Sequence, residues 1–365
     1  DVLDGGEGDD VAVFEGDADA YRIDVTNSQI IDANTADGDG GTDTLRDIES
    51  VRFGDGTEVT FTSTDSEEFQ VNTYIQGHQE QPSMAGLTDG GYVVTWESPS
   101  QDGSGEGVFA QRYGASGEPL GDEFQVNTWT GNEQNNANVT GLENGGFFIT
   151  WQDSSGSANQ IGGGESWDVR GQLYNASGVA QGPEVLINTQ TYNDQTAPEV
   201  TALADGGYVV TWHSRYQDTG SSDYGIYGQR YDANGMASGN EFRVNTYTSG
   251  EQTHPAVASM DDGGFVIAWQ DSSGHDGGSS YDIRGQRYGS NGETRGDEFM
   301  VNSYVSNDQH YPDITGLDGG KFIVTWGDET THANRPGTDT SGWGVFGQVF
   351  TTSNVEGEDA VSMSG

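Results

Sequence analysis

The feature of this sequence that most constrains its fold is a repeat of about 57 residues. Three residue types recur in one phase along the chain. The first series is tryptophan, spaced 55, 61, 57 and 57 residues apart at Trp96, Trp151, Trp212, Trp269 and Trp326. The second is the glutamate that opens EFxVNT-like segments at Glu68, Glu123, Glu184, Glu241 and Glu298. The third is the glutamine of GxxGQRY-like segments at Gln111, Gln172, Gln229, Gln286 and Gln348.

Each repeat has the pattern of four short β-strands. In the fourth copy these are PAVASM, GFVIAW, DIRGQRY and EFMVNS, separated by segments rich in Gly, Asn and Asp. Apolar residues alternate with a period of two, and no segment keeps a helical period. Four-stranded units repeated around an axis are typical of a β-propeller. The sequence therefore predicts an all-β protein whose main body is a five-bladed β-propeller.

The phase of the repeat indicates how such a ring would close. An EFQVNT copy at 68–73 precedes the first complete unit, whereas no copy follows GVFGQVF at the end of the last unit. We expect residues 68–73 to supply the fourth strand of the last blade.

Side-chain size along the repeat predicts which residues are buried. Small residues recur in the first strand, as a crowded centre requires, at Gly86, Gly141, Ala202, Ser259 and Gly316. The repeated tryptophans share a face with apolar neighbours and are expected to pack between blades. The GQRY glutamines are expected to be buried hydrogen-bonding residues rather than ligand contacts.

Charge limits the possible partners. The chain has 59 Asp and Glu residues against 13 Lys and Arg, a formal net charge of −46. Nucleic acid is excluded as a natural partner because binding it requires Lys and Arg. No run approaches the ~20 apolar residues that cross a bilayer. The acidic excess and the lack of cysteine favour Ca²⁺ as a stabilising cofactor, since it binds oxygen ligands.

The first 66 residues differ from the repeats. Gly5-Gly6-Glu7-Gly8-Asp9-Asp10 precedes an alternating apolar strand, and Asp1-Val2-Leu3 matches the end of a preceding copy. This resembles the repeats-in-toxin (RTX) nonapeptide GGxGxDxUx, which implies a short parallel β-roll that binds calcium. By that resemblance Asp1 and Asp10 are carboxylate ligands, and Gly5, Glu7 and Gly8 belong to the ligand-bearing turn. The alternative is that these acids only solvate turns.

A second oxygen-rich loop, DGDGGTD, contains Asp37, Asp39 and Asp43 and is a further candidate calcium site. The 57-residue units also resemble uncharacterised repeats that accompany RTX blocks in secreted bacterial proteins, which implies an extracellular or cell-surface location and type I secretion. We expect an RTX-type calcium-binding segment over 1–66, the propeller over 67–352, and a tail or linker over 353–365. The sequence looks like an internal or C-terminal piece of a longer chain.

The connections between blades are candidate ligand sites. Amides pair with sugar hydroxyls and aromatic rings stack on sugar C–H faces, so five such connections would suit a polysaccharide or cell-surface glycan. The candidate residues are Asn72, Tyr74, Gln79, Asn127, Trp129, Gln134, Asn188, Gln195, Asn245, Tyr247, Gln252, Asn302, Tyr304 and Gln309. The alternative is that these amides cap turns and satisfy backbone groups.

Sequence signals for catalysis are few. Glu97, Glu165 and Glu329 break the repeat symmetry in the loops after the second strands, but nothing singles out a pair, and no metal-ligand spacing of His, GxSxG elbow or phosphate loop occurs. We therefore expect no catalytic residues and no enzyme. The predicted function is a calcium-dependent adhesion or recognition module. The alternatives are a scaffold or fibre subunit that self-associates and, as a third interpretation, a propeller glycosidase or lyase.

Overall fold

The protein is described here by a computed structural model. It describes residues 2–4, 11–14, 21–24, 29–32, 42–46, 48, 50–60, 68–155, 166–218, 224–275, 281–305, 307–329 and 342–351. The chain forms two compact units, Asp1–Gln70 and Val71–Gly365. The predicted tail over 353–365 lies outside the described residues.

The first unit contains seven short strands. They are β1 (Val2–Asp4), β2 (Val11–Phe14), β3 (Tyr21–Asp24), β4 (Gln29–Asp32), β5 (Thr42–Arg46), β6 (Ser50–Phe53) and β7 (Glu58–Thr60). They form two sheets, in the orders β1-β5-β4-β3 and β2-β6-β7. The pairs β1–β5 and β2–β6 are parallel, and the other pairs are antiparallel. Val51 and Phe53 are buried and form the centre of a small core.

Most residues of the predicted calcium sites are not among the described residues. Asp1, Gly5, Glu7, Gly8, Asp10, Asp37 and Asp39 lie outside the described residues, and Asp43 lies in β5. Within the part of the chain that is described, no group of three or more His, Asp or Glu side chains is arranged to hold a metal ion. The β-roll and its calcium sites remain predictions.

The second unit is all-β and consists of five successive antiparallel sheets arranged like a propeller. The first sheet contains β8 (Glu80–Gly86), β9 (Tyr92–Pro99), β10 (Glu106–Tyr113) and β11 (Phe124–Gln125). The second and third contain β12 (Gln134–Gly141), β13 (Phe147–Asp153), β14 (Asp168–Tyr174), β15 (Val185–Leu186), β16 (Gln195–Ala202), β17 (Tyr208–Arg215), β18 (Tyr224–Tyr231) and β19 (Phe242–Arg243). The fourth and fifth contain β20 (Gln252–Ser259), β21 (Phe265–Asp271), β22 (Asp282–Tyr288), β23 (Thr294–Met300), β24 (Gln309–Leu317), β25 (Lys321–Glu329) and β26 (Trp343–Phe350).

Tight glycine turns join the first and second strands of the sheets. In the first sheet, Gly90 takes a φ of +85°, and its N–H donates to the Leu87 carbonyl at 3.0 Å. A Cβ on the adjacent Gly91 would lie 2.3 Å from the Tyr113 carbonyl oxygen. Such a turn holds two strands side by side without a side chain intruding on the third strand. Within the described residues there is no helix that could span a membrane.

The main core lies between neighbouring sheets, as predicted for the repeated tryptophans. Trp151, Trp212 and Trp269 are fully buried. Trp151 packs in one cluster with Val93 and Val108 of the preceding sheet. Each sheet thus covers the apolar face of the sheet before it, which explains why the tryptophan must recur once per repeat.

Two other packing predictions are confirmed. A Cβ on Gly141 would lie 2.2 Å from the Gly86 carbonyl oxygen, so the first strands are too close for larger residues there. Four of the five GQRY-type glutamines are buried and bond to backbone, and Gln348 is half-buried. The Gln111 side-chain amide, for example, donates to the carbonyls of Arg112 at 2.8 Å and Gly121 at 3.2 Å.

The structure differs from the prediction for residues 68–73. The fifth sheet has three strands, and residues 68–73 are described without a strand. Val71 packs against the core of the first sheet, as Val126 packs against the second, and its carbonyl accepts a hydrogen bond from the Tyr113 hydroxyl at 3.2 Å. The N–H of Thr73 donates to the Glu123 carboxylate at 2.6 Å. These contacts hold the segment on the first sheet, while Val345 of β26 remains 86% exposed.

Candidate functional site

The first strand of every sheet in the second unit contains the same backbone irregularity. In all five sheets the first strand contains one extra residue, so that two of its residues lie opposite the repeated tryptophan of the second strand. The first of these two residues takes a left-handed φ of 51 to 54° in each case, at Gln81, Asn136, Ala197, His254 and Tyr311. Bulges of this kind re-aim side chains and are common beside functional sites. The repeated frame therefore imposes the bulge, because five different residue types adopt it.

The bulged residues line a single pocket. Its volume is about 700 Å³, and all five sheets contribute to its wall. It lies at the end of the first strands where the connections between sheets arrive. Polar wall residues include Gln81, Asn136, Asn138, Gln152 and Thr196. The second unit thus surrounds a central polar pocket of a size that ligand sites commonly have.

In four of the five sheets, the residue directly after the repeated tryptophan holds a pocket-lining residue of the next sheet in place. In four junctions its side chain accepts a hydrogen bond from the N–H of the bulged residue in the next sheet. Glu97 accepts from Asn136, Gln152 from Ala197 at 3.0 Å, His213 from His254 at 3.3 Å, and Gln270 from Tyr311 at 3.3 Å. The acceptor is a carboxylate, an amide oxygen or an imidazole nitrogen, depending on the sheet. The same backbone N–H is therefore bound by different chemical groups around the pocket.

Glu199 brings a carboxyl group into the pocket wall. It lies two residues after the bulge of the third sheet and is half-buried. The side-chain amide of Asn138 donates to it at 2.9 Å. Burial, and to a lesser degree the negative charge of Asp313, raises the pKa of Glu199 to about 7. Asp313 occupies the equivalent position in the fifth sheet and is exposed.

Glu97 is a second acid with an altered proton affinity. Its side chain is buried, with 1% exposed, and accepts a bond from the Gln81 amide at 3.3 Å. Burial raises the pKa of Glu97 to about 7, the Asn136 N–H opposes this shift, and the charges of Glu106 and Glu80 add to it. Both Glu97 and Glu199 therefore hold a proton at neutral pH in a large fraction of molecules.

His213 is held as a neutral imidazole. Burial, followed by the nearby His254, lowers the pKa of His213 to about 3. Its Nδ1 accepts the His254 N–H, so the ring proton is on Nε2, which lies 2.6 Å from the Thr196 hydroxyl. This side of the pocket is thus uncharged.

The amides of the connections between sheets are found inside the protein. The side-chain amide of Asn127 donates to the Trp129 carbonyl at 2.7 Å and to the Gln134 side chain at 3.0 Å, and its oxygen accepts the Val108 N–H at 2.9 Å. The same arrangement recurs at the other three complete connections, with these amides at most 3% exposed: Asn188, Gln195, Asn245, Gln252, Asn302 and Gln309. They stabilise the connections and do not line the central pocket.

The remaining connection residues are more exposed. Asn72 and Gln79 of the first connection are half-buried and bond to each other at 3.2 Å. Trp129 is 46% and Tyr304 39% exposed, whereas Tyr74 and Tyr247 are half-buried. None of these residues lines the central pocket.

The sequence did not single out Glu199, whose carboxyl group lies in the pocket wall. Of the acids that it singled out, Glu97 lies beside the pocket, Glu329 ends β25 away from the pocket lining, and Glu165 lies outside the described residues. The missed signal was the position two residues after the bulge, occupied by Ser83, Asn138, Glu199, Ala256 and Asp313. Two acids break the repeat there, and of the five positions the structure places Ser83, Asn138 and Glu199 in the pocket lining.

No protein-family model and no curated protein matches this sequence. Among solved structures, an α-L-arabinanase of Penicillium chrysogenum complexed with arabinobiose is similar at 13% identity, over 72% of this chain and 81% of that chain, with a TM-score of 0.46. An α-L-arabinofuranosidase of Fusarium graminearum, also with arabinobiose, is similar at 10% identity, over 72% and 79%, with a TM-score of 0.46. A protein of unknown function from Dyadobacter fermentans is similar at 11% identity, over 93% and 97%, with a TM-score of 0.43.

These comparisons contradict two predictions from the sequence: that the chain is not an enzyme, and that it is an adhesion module or scaffold. The similar structures include arabinofuranosidases and arabinanases. The acids that the sequence singled out follow the second strands, whereas Glu199 and Asp313 lie on first strands. At this identity and these TM-scores, the likeness carries no argument about residues or substrate, which must come from the pocket.

Proposed function

We propose that the central pocket hydrolyses glycosidic bonds, with Glu199 as the proton donor and Asp313 as its ionised partner. One observation carries the proposal: a pocket carboxyl with a pKa of about 7 feels the negative charge of a second carboxylate in the equivalent position of another sheet. Glycoside hydrolysis uses such a pair, one carboxyl protonated and the other ionised.

The chemistry follows from the two protonation states. The Glu199 carboxylic acid donates its proton to the glycosidic oxygen, and the bond between that oxygen and the anomeric carbon breaks. Asp313 either takes a proton from the water that adds to this carbon or attacks the carbon itself before water replaces it. In both cases one water is consumed and two sugar hydroxyl groups result. The amides of Gln81, Asn136 and Asn138 offer hydrogen bonds to the hydroxyls of the bound sugar.

The test is hydrolysis by the purified chain of a panel of polysaccharides and aryl glycosides, including arabinan because an arabinanase is among the similar structures. We expect release of reducing ends, and a kcat/KM that falls as pH rises through about 7, where Glu199 loses its proton. Glu199→Gln and Asp313→Asn should each lower kcat at least about 100-fold, which is the usual contribution of acid–base catalysis.

Glu293→Gln is the matched control, because Glu293 is an exposed turn residue that does not line the pocket. It should retain full activity. The absence of hydrolysis across the panel, or full activity in both pocket variants, would refute the proposal.

We further propose that the five sheets are five blades of a closed propeller, with residues 68–73 as the outer strand of the fifth blade. The four complete junctions support this arrangement. In each of them an apolar residue of the EFxVNT segment donates its N–H to the third strand, as Val126 does to Val108 at 2.8 Å. Val71 and Val345 occupy the matching positions of the fifth junction, and both are apolar.

For residues 1–66 we propose an RTX-type calcium-binding segment of an extracellular protein. The nonapeptide-like residues support it, as do the parallel pairs β1–β5 and β2–β6, since a β-roll is built from parallel strands. Asp1 and Asp10 are the proposed ligands in the first turn, and Asp37, Asp39 and Asp43 in the second loop.

A further inference from the structure

A row of aromatic rings, exposed at Tyr311 and Trp343 and half-buried at His310, continues from one side of the central pocket. Tyr311, the bulged residue of the fifth sheet, lines the pocket and is 69% exposed. Its ring centroid lies 5.7 Å from that of His310, which in turn lies 5.4 Å from the indole of Trp343. Trp343 is 55% exposed. The three rings form a continuous strip from the pocket to the start of β26.

The backbone holds this strip open to solvent. Tyr311 keeps a φ of +52°, a region that costs free energy for a bulky side chain and is retained only where the surrounding structure enforces it. The bulge is enforced here by the Tyr311 N–H, which donates to Gln270 at 3.3 Å. His254 packs edge-on against the Tyr311 ring at 5.0 Å, which fixes one side of that ring and leaves its remaining surface free.

The indole of Trp343 packs beside Gly327, the residue after the repeated tryptophan of the fifth sheet. A Cβ on Gly327 would lie 3.6 Å from the Trp343 ring, which is an ordinary van der Waals contact. The position that matches Trp343 holds Tyr224 in the third sheet and Tyr281 in the fourth. The repeat thus places an aromatic ring at this position in several sheets, and in the fifth sheet that ring is 55% exposed.

Charge indicates the kind of molecule that would cover the strip. Glu199 lines the pocket, and Glu97 accepts a hydrogen bond from the lining residue Gln81. The pocket-lining residues that the structure describes include no Lys or Arg. An anionic polymer would be repelled. Flat, exposed rings next to a polar pocket suit the C–H faces of uncharged sugar units.

We propose that Tyr311, His310 and Trp343 form a stacking subsite that holds a neutral polysaccharide chain as it enters the central pocket. This inference rests on the proposed glycoside hydrolysis and extends it to the substrate: a neutral polymer with units bound outside the cleavage site. The strip makes polymer binding stronger than the binding of short glycosides.

The experiment measures binding and cleavage separately. Binding is measured by affinity gel electrophoresis in the Glu199→Gln background, so that the polymer stays intact, with arabinan, xylan and polygalacturonate as probes. We expect retardation by a neutral polymer and none by polygalacturonate. Tyr311→Ala and Trp343→Ala should each weaken binding about tenfold, by loss of a stacking contact.

Matched controls are Tyr192→Ala and Trp129→Ala, which remove aromatic rings of similar exposure that do not touch the strip. They should bind as the parent does, and equal melting temperatures would show that all variants are folded. Equal retardation of the strip variants and the parent would overturn the inference, as would stronger binding of polygalacturonate than of neutral polymers.

Cleavage with an active Glu199 separates this inference from the proposed function. Both strip variants should raise KM for the polymer about tenfold. Trp343→Ala, whose side chain does not line the pocket, should leave cleavage of an aryl glycoside unchanged. If the unmodified chain cleaves neither substrate, the proposed hydrolysis fails. If it cleaves both and the strip variants do not change KM for the polymer, only the stacking subsite fails.

Discussion

At the scale of single residues, one backbone frame holds different chemical groups around the pocket. The position after the repeated tryptophan is Glu97 in the first sheet and His213 in the third. Each of them accepts the N–H of the bulged residue in the next sheet. Burial gives each of them its neutral form, with a raised pKa for the carboxyl and a lowered pKa for the imidazole. The frame thus supplies the geometry, and the residue type supplies the proton chemistry.

Glu97 makes stability depend on pH in a direction opposite to that of most carboxyls. Its pKa rises from an ordinary 4.5 to about 7 on folding, so the folded chain binds more protons than the unfolded chain between these values. The free energy of unfolding should therefore fall as pH rises from about 4.5 to about 7, by up to about 3 kcal/mol from this residue. Glu97→Gln should remove that part of the pH dependence and be more stable than the parent at pH 8.

Urea unfolding of the parent and of Glu97→Gln at about pH 5 and pH 8 measures the effect. The exposed Glu293→Gln serves again as the control and should follow the parent. An unchanged difference between the two pH values in Glu97→Gln would contradict the assigned pKa.

At the scale of elements, the repeated unit is the junction between two sheets rather than the sheet itself. Each complete junction combines a buried tryptophan and a buried amide pair, and three of the four add a threonine N–H on the next glutamate, as between Thr128 and Glu184 at 2.7 Å. The strands and the tryptophan core were predictable because they depend on local alternation. A fourth strand of the fifth sheet has no local signal, because the proposed pairing would join residues about 270 apart.

Closure of the fifth junction can be tested with a disulfide, since the natural chain has no cysteine. In complete junctions the residues matching Val71 and Val345 face each other across two antiparallel strands, about 5.5 Å apart at Cα, which suits a disulfide. We expect Val71→Cys/Val345→Cys to oxidise within one molecule and to raise the melting temperature.

Non-reducing gels of the monomer distinguish the outcomes, with each single cysteine variant as a control. A disulfide only between molecules, or none under oxidation, would contradict closure by residues 68–73 and agree with the exposed Val345 of the structure.

At the scale of the whole molecule, the net charge of −46 limits which partners can approach the protein. The class of the fold and the five repeats could be predicted, because Gly turns and alternating strands recur throughout. The pocket could not, since Glu199 and Asp313 are 114 residues apart in sequence and only the ring-like order of the sheets relates them. For the amides of the connections the sequence left two interpretations open, sugar binding and turn capping, and the burial of Asn127 and its equivalents favours the second.

Calcium should stabilise the first unit if the RTX resemblance holds. Chelation is expected to lower the melting temperature of the transition that belongs to residues 1–70, because unbalanced carboxylates repel one another without the ion. Asp10→Ala should have the same effect in the presence of calcium. Scanning calorimetry of the full chain with and without chelator measures both.

Asp122→Ala, in an exposed turn of the second unit, is the control and should retain the full response to calcium. A melting profile that chelator leaves unchanged would exclude a stabilising calcium site in the first unit.

The five bulges also bear on how this scaffold could be re-engineered. Gln, Asn, Ala, His and Tyr occupy the same left-handed position with φ values within 3° of one another. The conformational cost of that position is therefore already met by the strand pairing, whichever side chain is present. A library that randomises only these five positions would vary the lining of one pocket and leave the backbone unchanged. Variants with new ligand specificities could then be selected from that library.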